Sequence, residues 1–282
     1  MRQVKLGCII AFCLLITVSA NAQISVTPMT TADSLVQSIM GSGISYSNVS
    51  YTGTNVASGT FTGGSVIGIN TGILLTSGLA SNVDSVNNSD GITGDNGQSG
   101  DTDLNSLIPG YTTHDATVLE FDFELESGEV GDLYFNYVFG SDEYNEYVDS
   151  SYNDVFGFFL DGTNIALIPG TSTAVAINNV NNGDYSSYYN DNDPSNGTPT
   201  PFAIEYDGFT NVLTAQALDL AEGTHHIKLA IADAGDFILD SGVFIQGGSF
   251  SDEPTPIVPV PGALLIGLLG FGTAGIRLRR FA

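Results

Sequence analysis

The chain has 282 residues and a formal net charge of −25, because 31 acidic side chains face only 6 basic ones. Lys228 is the single lysine or arginine between residues 6 and 276. A protein this acidic cannot neutralise phosphates and is repelled by anionic lipid. Its charge therefore excludes binding to nucleic acid or to an acidic membrane surface. The hydrophobic content of 42%, with 16 Phe and 12 Tyr, is nevertheless sufficient for a buried core.

Residues 1–22 have the three parts of a secretory signal peptide. Arg2 and Lys5 give a positive start, an apolar segment follows, and the cleavage site is formed by Ala20 and Ala22. We expect the Sec translocon to export the chain and signal peptidase to cut it after Ala22. Both cysteines lie in this segment, so the mature chain would lack disulfides and thiol chemistry.

The body of the chain, residues 23–252, begins with one predicted short helix. Thr31 can cap its amino terminus, Asp33 favours the positive end of the helix dipole, and Gly41 suits its end. The apolar residues between them recur at helical spacing and should face the core: Leu35, Val36, Ile39 and Met40.

After this helix the hydrophobic pattern has a period of two, which predicts strands. Residues 118–125 alternate apolar and acidic side chains, and residues 154–160 are apolar on both faces, as in a central strand. The alternation recurs in three later segments: 133–139, 227–231 and 243–245. The polar stretches 85–110 and 181–200 should be long surface loops. The pattern predicts a mainly β, single-domain antiparallel sandwich, similar to a jelly roll.

Residues 253–282 form a predicted sorting and anchor segment. The twenty uncharged residues 257–276 are long enough for a transmembrane helix, and the basic residues after it should stay in the cytoplasm: Arg277, Arg279 and Arg280. With Pro259 and Pro261 just before the helix, this tail resembles the PEP-CTERM sorting signal, without the glutamate of its namesake. The resemblance implies a Gram-negative-type bacterium, transient anchoring in the inner membrane, and an exosortase-type enzyme that passes the body to the cell surface or matrix.

Several blocks of the body resemble the bacterial choice-of-anchor L domain. They include Thr71-Gly-Ile-Leu-Leu-Thr-Ser-Gly78, Phe135-Asn-Tyr-Val-Phe-Gly-Ser-Asp-Glu-Tyr144, Asn153-Asp-Val-Phe-Gly-Phe-Phe-Leu160 and Asp240-Ser-Gly-Val-Phe-Ile245. The resemblance implies an extracellular domain that is paired with different C-terminal anchors, and it supplies no catalytic activity. We therefore expect an exported protein of the cell surface or extracellular matrix with an adhesive or structural role.

Catalytic motifs are missing from the sequence. It contains neither H-E-x-x-H nor G-x-S-x-G, and no nucleophile accompanies the His114-Asp115 pair. His225 and His226 are adjacent in a predicted strand, so they point to opposite faces and cannot bind one ion together. We predict no catalytic residues and no enzymatic activity.

Calcium is the cofactor that this composition would suit, since Ca²⁺ takes six to eight oxygen ligands and extracellular sites can be weak. The acids beside strongly apolar strands are the main candidate ligands: Asp142, Glu143, Asp154, Asp236 and Asp240. Asp233 lies in the same candidate loop as Asp236 and Asp240. A weaker candidate loop contains Asp95, Asp101 and Asp103, and it does not fit the EF-hand spacing. The alternative is that these acids lie in solvated loops and bind no metal.

Tyrosines near amide and acidic side chains indicate an alternative function. Aromatic rings beside polar groups occur on sugar-binding faces, and the candidates here are Tyr147, Tyr152, Tyr188 and Tyr189. Tryptophan, the favoured sugar platform, is absent. On this alternative the body is a carbohydrate-binding or hydrolytic module that acts on extracellular polysaccharide.

Overall fold

The structure is a computed structural model that describes residues 23–84, 86–126, 130–196, 200 and 202–257. The predicted signal peptide lies outside these residues, as do the proline motif and arginine cluster of the predicted sorting signal. Within the described part of the chain, no helix is long and apolar enough to span a membrane.

Two antiparallel sheets form the domain. The larger sheet has eight strands: β1 (Ser25–Pro28), β3 (Ser58–Thr62), β4 (Thr71–Thr76), β6 (Gly131–Ser141), β9 (Tyr189–Asp191), β10 (Gly208–Thr210), β11 (Leu213–Leu220) and β13 (Ser241–Gln246). The smaller sheet has five strands: β2 (Ile44–Thr52), β5 (Thr113–Leu125), β7 (Val155–Leu160), β8 (Thr163–Asn164) and β12 (His225–Ala234). In the larger sheet the order of neighbouring strands is β1-β3-β4-β13-β6-β10-β9, and β11 also pairs with β6. In the smaller sheet the order is β2-β5-β12-β7-β8. The predicted mainly β, antiparallel fold is confirmed.

The main core lies between the sheets and contains the predicted inward rows. Leu119, Phe121 and Phe123 of β5 are buried there, while Glu120 and Asp122 between them remain more exposed. Aromatic rings join the two layers: Phe135 of β6 lies 5.0 Å from Phe158 of β7, measured between ring centroids. Because side chains alternate along a strand, each inward row leaves a second row on the outer face.

Both sheets also bury apolar residues on their outer faces. Phe61, Phe209 and Phe244 lie in a cluster on the outside of the larger sheet. Val155 and Phe159 of β7 lie in another cluster, outside the smaller sheet. This second cluster explains why residues 154–160 are apolar on both faces, as the sequence predicted for a central strand.

The helices confirm one prediction and correct another. Helix α1 (Ala32–Ile39) is capped by Thr31, whose hydroxyl accepts the Ser34 N–H at 3.2 Å. A second helix, α2 (Thr102–Leu107), lies in the stretch that was expected to be a surface loop. The Asp101 carboxylate accepts the N–H groups of Asp103 and Leu104, at 2.9 and 3.1 Å, and Leu104 is fully buried. A good cap and one buried leucine therefore suffice for a helix too short to show a periodic pattern.

The described part of the second predicted loop, residues 181–196 and 200, is also more structured than expected. It contains the short strand β9, which pairs with β10. Asn181, Asn192 and Asp193 are buried within it. The amide of Asn192 donates to the carbonyl oxygens of Ile204 and Tyr206, at 2.8 and 3.0 Å. A polar sequence can be buried in this way when its side chains bind the backbone of the covering segment.

Candidate functional site

The interlayer core changes from apolar to polar at one end of the sandwich. Five strands bring their inward rows to this end, and the rows finish in buried polar residues: Ser77, Ser141, Asp154, Asp233 and Ser241. The register places them together, because Ser241 pairs with Ser141 and Ala232 pairs with Val155. The fold thus collects residues that are far apart in the sequence.

Three buried acids, which we name the interlayer carboxylates, lie at this end: Glu143, Asp154 and Asp233. Asp154 is fully satisfied, since its two oxygens accept the Ala234 N–H at 2.8 Å and the Ser241 hydroxyl at 2.6 Å. Glu143 is 0% exposed and Asp233 1% exposed, and all four of their carboxylate oxygens are buried without a partner in hydrogen-bonding geometry. Buried carboxylates without partners are strongly unfavourable when ionised.

Burial and mutual repulsion raise the pKa of every interlayer carboxylate. For Glu143 the pKa is raised first by burial and then by the charges of Asp154 and Asp236. For Asp154 burial outweighs the hydrogen bonds from Ser241 and Ala234, which lower the pKa. For Asp233 burial and the charge of Asp154 raise the pKa well above its ordinary value, and the nearby Ser77 hydroxyl offsets only part of this. The three acids therefore resist carrying three negative charges at once.

The structure divides the five main candidate calcium ligands between two faces. Glu143 and Asp154 belong to the interlayer end, with the partly exposed Asp236 at its rim. Asp142 directly follows the inward-facing Ser141, and Asp240 directly precedes the inward-facing Ser241. Because side chains alternate along a strand, both acids lie at the outer side of the larger sheet. The Asp240 carboxylate accepts the Gly94 N–H at 2.9 Å and the Asn82 amide at 3.3 Å.

Sequence reasoning missed three buried acids that the fold adds to these candidates: Asp115, Asp193 and Asp207. Asp233, which the sequence groups with Asp236 and Asp240, continues the inward row of Leu229 and Ile231. Asp115 has a φ of 48° at a register shift between β5 and β12, and its oxygens accept the Asn96 and Gln98 N–H groups. Asp193 and Asp207 are buried by pairing of distant segments, which no local pattern indicates.

The weaker candidates, Asp95, Asp101 and Asp103, lie elsewhere. The Lys228 ammonium is 2.6 Å from a carboxylate oxygen of Asp101 and 2.6 Å from one of Asp103. Burial opposes the charge on Lys228, but the hydrogen bonds to both aspartates outweigh it and raise its pKa. Asp95 accepts the Gly97 N–H at 2.8 Å within its own turn. The one lysine of the body is therefore already engaged with two acids.

No three acid or histidine side chains in the described ranges are already arranged around one point as metal ligands. A cation at the interlayer carboxylates would therefore require side-chain rotation. Glu143 can rotate without breaking a hydrogen bond, because its oxygens make none, and rotation of Asp233 gives up only the nearby Ser77 hydroxyl. Asp154, which is held by two donors, would supply the fixed charge between them.

The candidate sugar-binding tyrosines are also divided. Tyr147 and Tyr152 form an edge-to-face pair with ring centroids 5.3 Å apart. Tyr189 packs on the buried Tyr144 at 4.9 Å and donates its hydroxyl to Asn145 at 2.8 Å. Tyr188 lines a separate depression of about 480 Å³. The four residues therefore do not form one aromatic face.

The fold and site define an antiparallel β-sandwich with buried acids collected at one end. A family model of the choice-of-anchor L domain matches residues 23–251, and the chain belongs to this family. No curated protein and no solved structure matches the chain. Family membership makes it a surface-associated or exported protein.

Proposed function

We propose that the chain is an exported structural or adhesive domain of the bacterial surface or matrix, without catalytic activity, and that Ca²⁺ stabilises its acidic end. The observation that carries the proposal is the burial of Glu143 and Asp233, whose four carboxylate oxygens lack hydrogen-bond partners. In a surface protein, a stable fold is itself the requirement for a structural role. A cation that neutralises this end would supply that stability outside the cell.

The protein itself offers little to neutralise these acids. Lys228, the one lysine or arginine among residues 23–257, is bound to Asp101 and Asp103. His114 pairs with Asp233 in the strand register, but its ring packs against Phe237, with centroids 4.2 Å apart and the ring planes tilted by 49°. Protons or an external cation must therefore compensate the charge. Ca²⁺ is suited to this, because it prefers carboxylate oxygens and is abundant outside cells.

Thermal unfolding of the purified protein, with chelator or with Ca²⁺, tests this proposal. A cation present at 100 times its Kd stabilises by about 2.7 kcal/mol, which would raise the Tm by about 5–10 °C in a domain of this size. The variant with Glu143→Gln and Asp233→Asn should lose most of this increase. The control variant, Asp219→Asn with Glu222→Gln, removes the same charge at the opposite end of β12 and should keep it. A Tm that Ca²⁺ leaves unchanged in the unsubstituted protein contradicts the calcium part of the proposal.

Export and anchoring are the second part of the proposal. Cleavage after Ala22 by signal peptidase and near Pro261 by an exosortase-type enzyme would release residues 23 to about 260 to the surface. The support is the sequence pattern at both ends together with membership in a surface-associated family. Intact mass of the protein recovered from a surface fraction tests each end separately. Retention of residues 1–22, or of Arg277, Arg279 and Arg280, contradicts the corresponding cleavage.

Carbohydrate binding is the second candidate function, and the Tyr147–Tyr152 pair favours it. Tyr152 lies beside Gly235, which lines an open depression of about 650 Å³ together with Tyr111, Asp149 and other residues. Partly exposed rings beside hydroxyl and carboxylate groups suit a sugar. Binding on a glycan array that is lost in Tyr147→Ala would favour this function over a purely structural one. Release of sugar from matrix polysaccharide would instead indicate a hydrolase.

A further inference from the structure

A second group of buried acids lies outside the larger sheet, where three chain segments meet. We name its members the outer carboxylates: Asp142, which follows β6, Asp193, which follows β9, and Asp207, which precedes β10. The strand register brings the segments together, because Gly208 of β10 pairs with Ser141 on one side and with Asp191 on the other. The three side chains are 1%, 2% and 0% exposed, respectively.

Each outer carboxylate has one buried oxygen without a hydrogen-bond partner: Oδ1 of Asp142, Oδ2 of Asp193 and Oδ2 of Asp207. The remaining oxygens of two of them are fixed by protein donors. Oδ1 of Asp207 accepts the Asn87 amide at 2.5 Å, and Oδ1 of Asp193 accepts the Ser195 N–H at 2.6 Å. The charges of Asp142 and Asp193 both interact with that of Asp207, so three segments each bring one buried, unpartnered oxygen to this part of the fold.

Buried amide side chains hold these segments in place. The Asn87 amide also donates to the carbonyl oxygen of Asn192 at 3.0 Å. The backbone N–H of Asn192 donates to the carbonyl oxygen of Asp207 at 2.8 Å. Metal ligands are commonly oriented by such surrounding hydrogen bonds. Because no three acids of the described residues are already arranged around one point, the carboxylates would still have to close on an arriving ion.

The charges of the outer carboxylates repel one another without compensation. Burial raises the pKa of Asp207 to about 8, and the charges of Asp193, Glu146 and Asp90 add to the effect. Burial raises the pKa of Asp142 as well, and the charge of Asp207 is the next cause. No lysine or arginine other than Lys228 exists in residues 23–257 to offset this repulsion, and Lys228 is bound to Asp101 and Asp103.

We infer that Asp142, Asp193 and Asp207 form a second divalent-cation site, of the calcium class, separate from the interlayer carboxylates. Three carboxylate oxygens with backbone carbonyl oxygens or water would complete the coordination that Ca²⁺ accepts. The ion would tie Asp193 and Asp207 to the end of β6. The inference goes beyond the proposed function, because it concerns other residues and holds whether or not the interlayer carboxylates bind an ion.

Calorimetric titration of Ca²⁺ into the purified full chain tests the site, with four proteins compared. If both sites exist, the unsubstituted chain binds two ions, and Asp193→Asn with Asp207→Asn binds one. The variant with Glu143→Gln and Asp233→Asn also binds one, and the four substitutions combined abolish binding. If the interlayer site alone fails, the unsubstituted chain binds one ion, and Asp193→Asn with Asp207→Asn binds none. Equal binding by the unsubstituted chain and the Asp193/Asp207 variant overturns the second site, as does no binding at all.

Limited proteolysis gives a readout that is local to the site. Ca²⁺ should slow cleavage beside Asp193 and Asp207, within residues 189–196 and 202–210, at least about tenfold, because a bound ion suppresses local opening there. The Glu143/Asp233 variant should keep this protection, and the Asp193/Asp207 variant should lose it. Unfolding of the Asp193/Asp207 variant in chelator shows whether its fold is intact. In chelator this variant should be at least as stable as the unsubstituted chain, so that lost protection reports loss of the site and not of the fold. Equal protection in both variants overturns the inference.

Discussion

Two groups of acids in this protein meet opposite electrostatic conditions. Asp101 and Asp103 lie at the Lys228 ammonium, which is 2.6 Å from each. Glu143, Asp154 and Asp233 lie at the end of the interlayer core, and residues 23–257 contain no lysine or arginine that pairs with them. The acid content of the sequence is therefore a poor guide to a cation site. What distinguishes the two groups is burial together with the absence of a compensating side chain.

Among the substitutions that compare the two groups of acids, removal of Lys228 should have the largest effect on the free energy of unfolding. Lys228→Met keeps the apolar stem over Phe159, whose ring centroid is 5.6 Å from the ammonium, but leaves two acids uncompensated. We expect a loss of about 2 kcal/mol, between the values typical of exposed and of buried ion pairs, measured by urea unfolding. The control Lys228→Arg keeps the charge and should lose less. A loss below about 0.5 kcal/mol would mean that this pair is energetically equivalent to an exposed one.

Neutralising two of the interlayer carboxylates should stabilise the protein, whereas removal of Lys228 should destabilise it. In chelator at pH 8, Glu143→Gln with Asp233→Asn should raise the free energy of unfolding by about 1 kcal/mol, because it removes buried, uncompensated charge. The same measurement on Asp101→Asn with Asp103→Asn should show a decrease, since Lys228 then loses its partners. If both pairs of substitutions destabilise, repulsion at the interlayer end is not the dominant effect of burial there.

His225 and His226 give a comparison in which the contribution of each side chain to stability depends on pH. Burial opposes the charge on His225, but hydrogen bonds from its ring to the Ala221 carbonyl and to Asp161 outweigh it and raise its pKa. A raised pKa in the folded state contributes stability below the unfolded pKa of about 6.5, and this is lost as pH rises through the folded pKa. His225→Gln should therefore lower the Tm by more at pH 5.5 than at pH 8. His226→Gln, on the exposed opposite face, is the control and should show a smaller difference.

The smallest effect should come from salt. Net repulsion among the acids favours expanded states, and the Debye length falls from about 30 Å at 0.01 M to about 8 Å at 0.15 M. In chelator the Tm should therefore rise by a few degrees over this range of NaCl. With Ca²⁺ present the rise should shrink, because bound ions already neutralise the buried acids. A Tm that does not respond to NaCl in chelator would mean that the acids are too dispersed to repel one another.

The sequence determined the strands and the location of several buried acids. The alternation in β5 predicted that Leu119 faces the core and that Glu120 faces away from it. The apolar run of β7 predicted a strand that is covered on both faces. It also placed Asp142, Glu143 and Asp154 beside the core, and the structure confirms that all three are buried. Such predictions succeed because hydrophobic burial acts on every residue of a strand and repeats with its period.

Only the tertiary structure decided which acids meet. Asp142 and Glu143 are neighbours in the sequence, yet the fold places one with Asp207 and the other with Asp154. Helix α2 depends on Asp101 and one buried leucine, and the burial of Asp193 depends on segments that pair across the larger sheet. Local patterns carry no information on such pairings, because the partners of a strand are selected by the packing of the whole core. The same packing places Lys228 with Asp101 and Asp103, and leaves Glu143 and Asp233 without a lysine or arginine partner among the described residues.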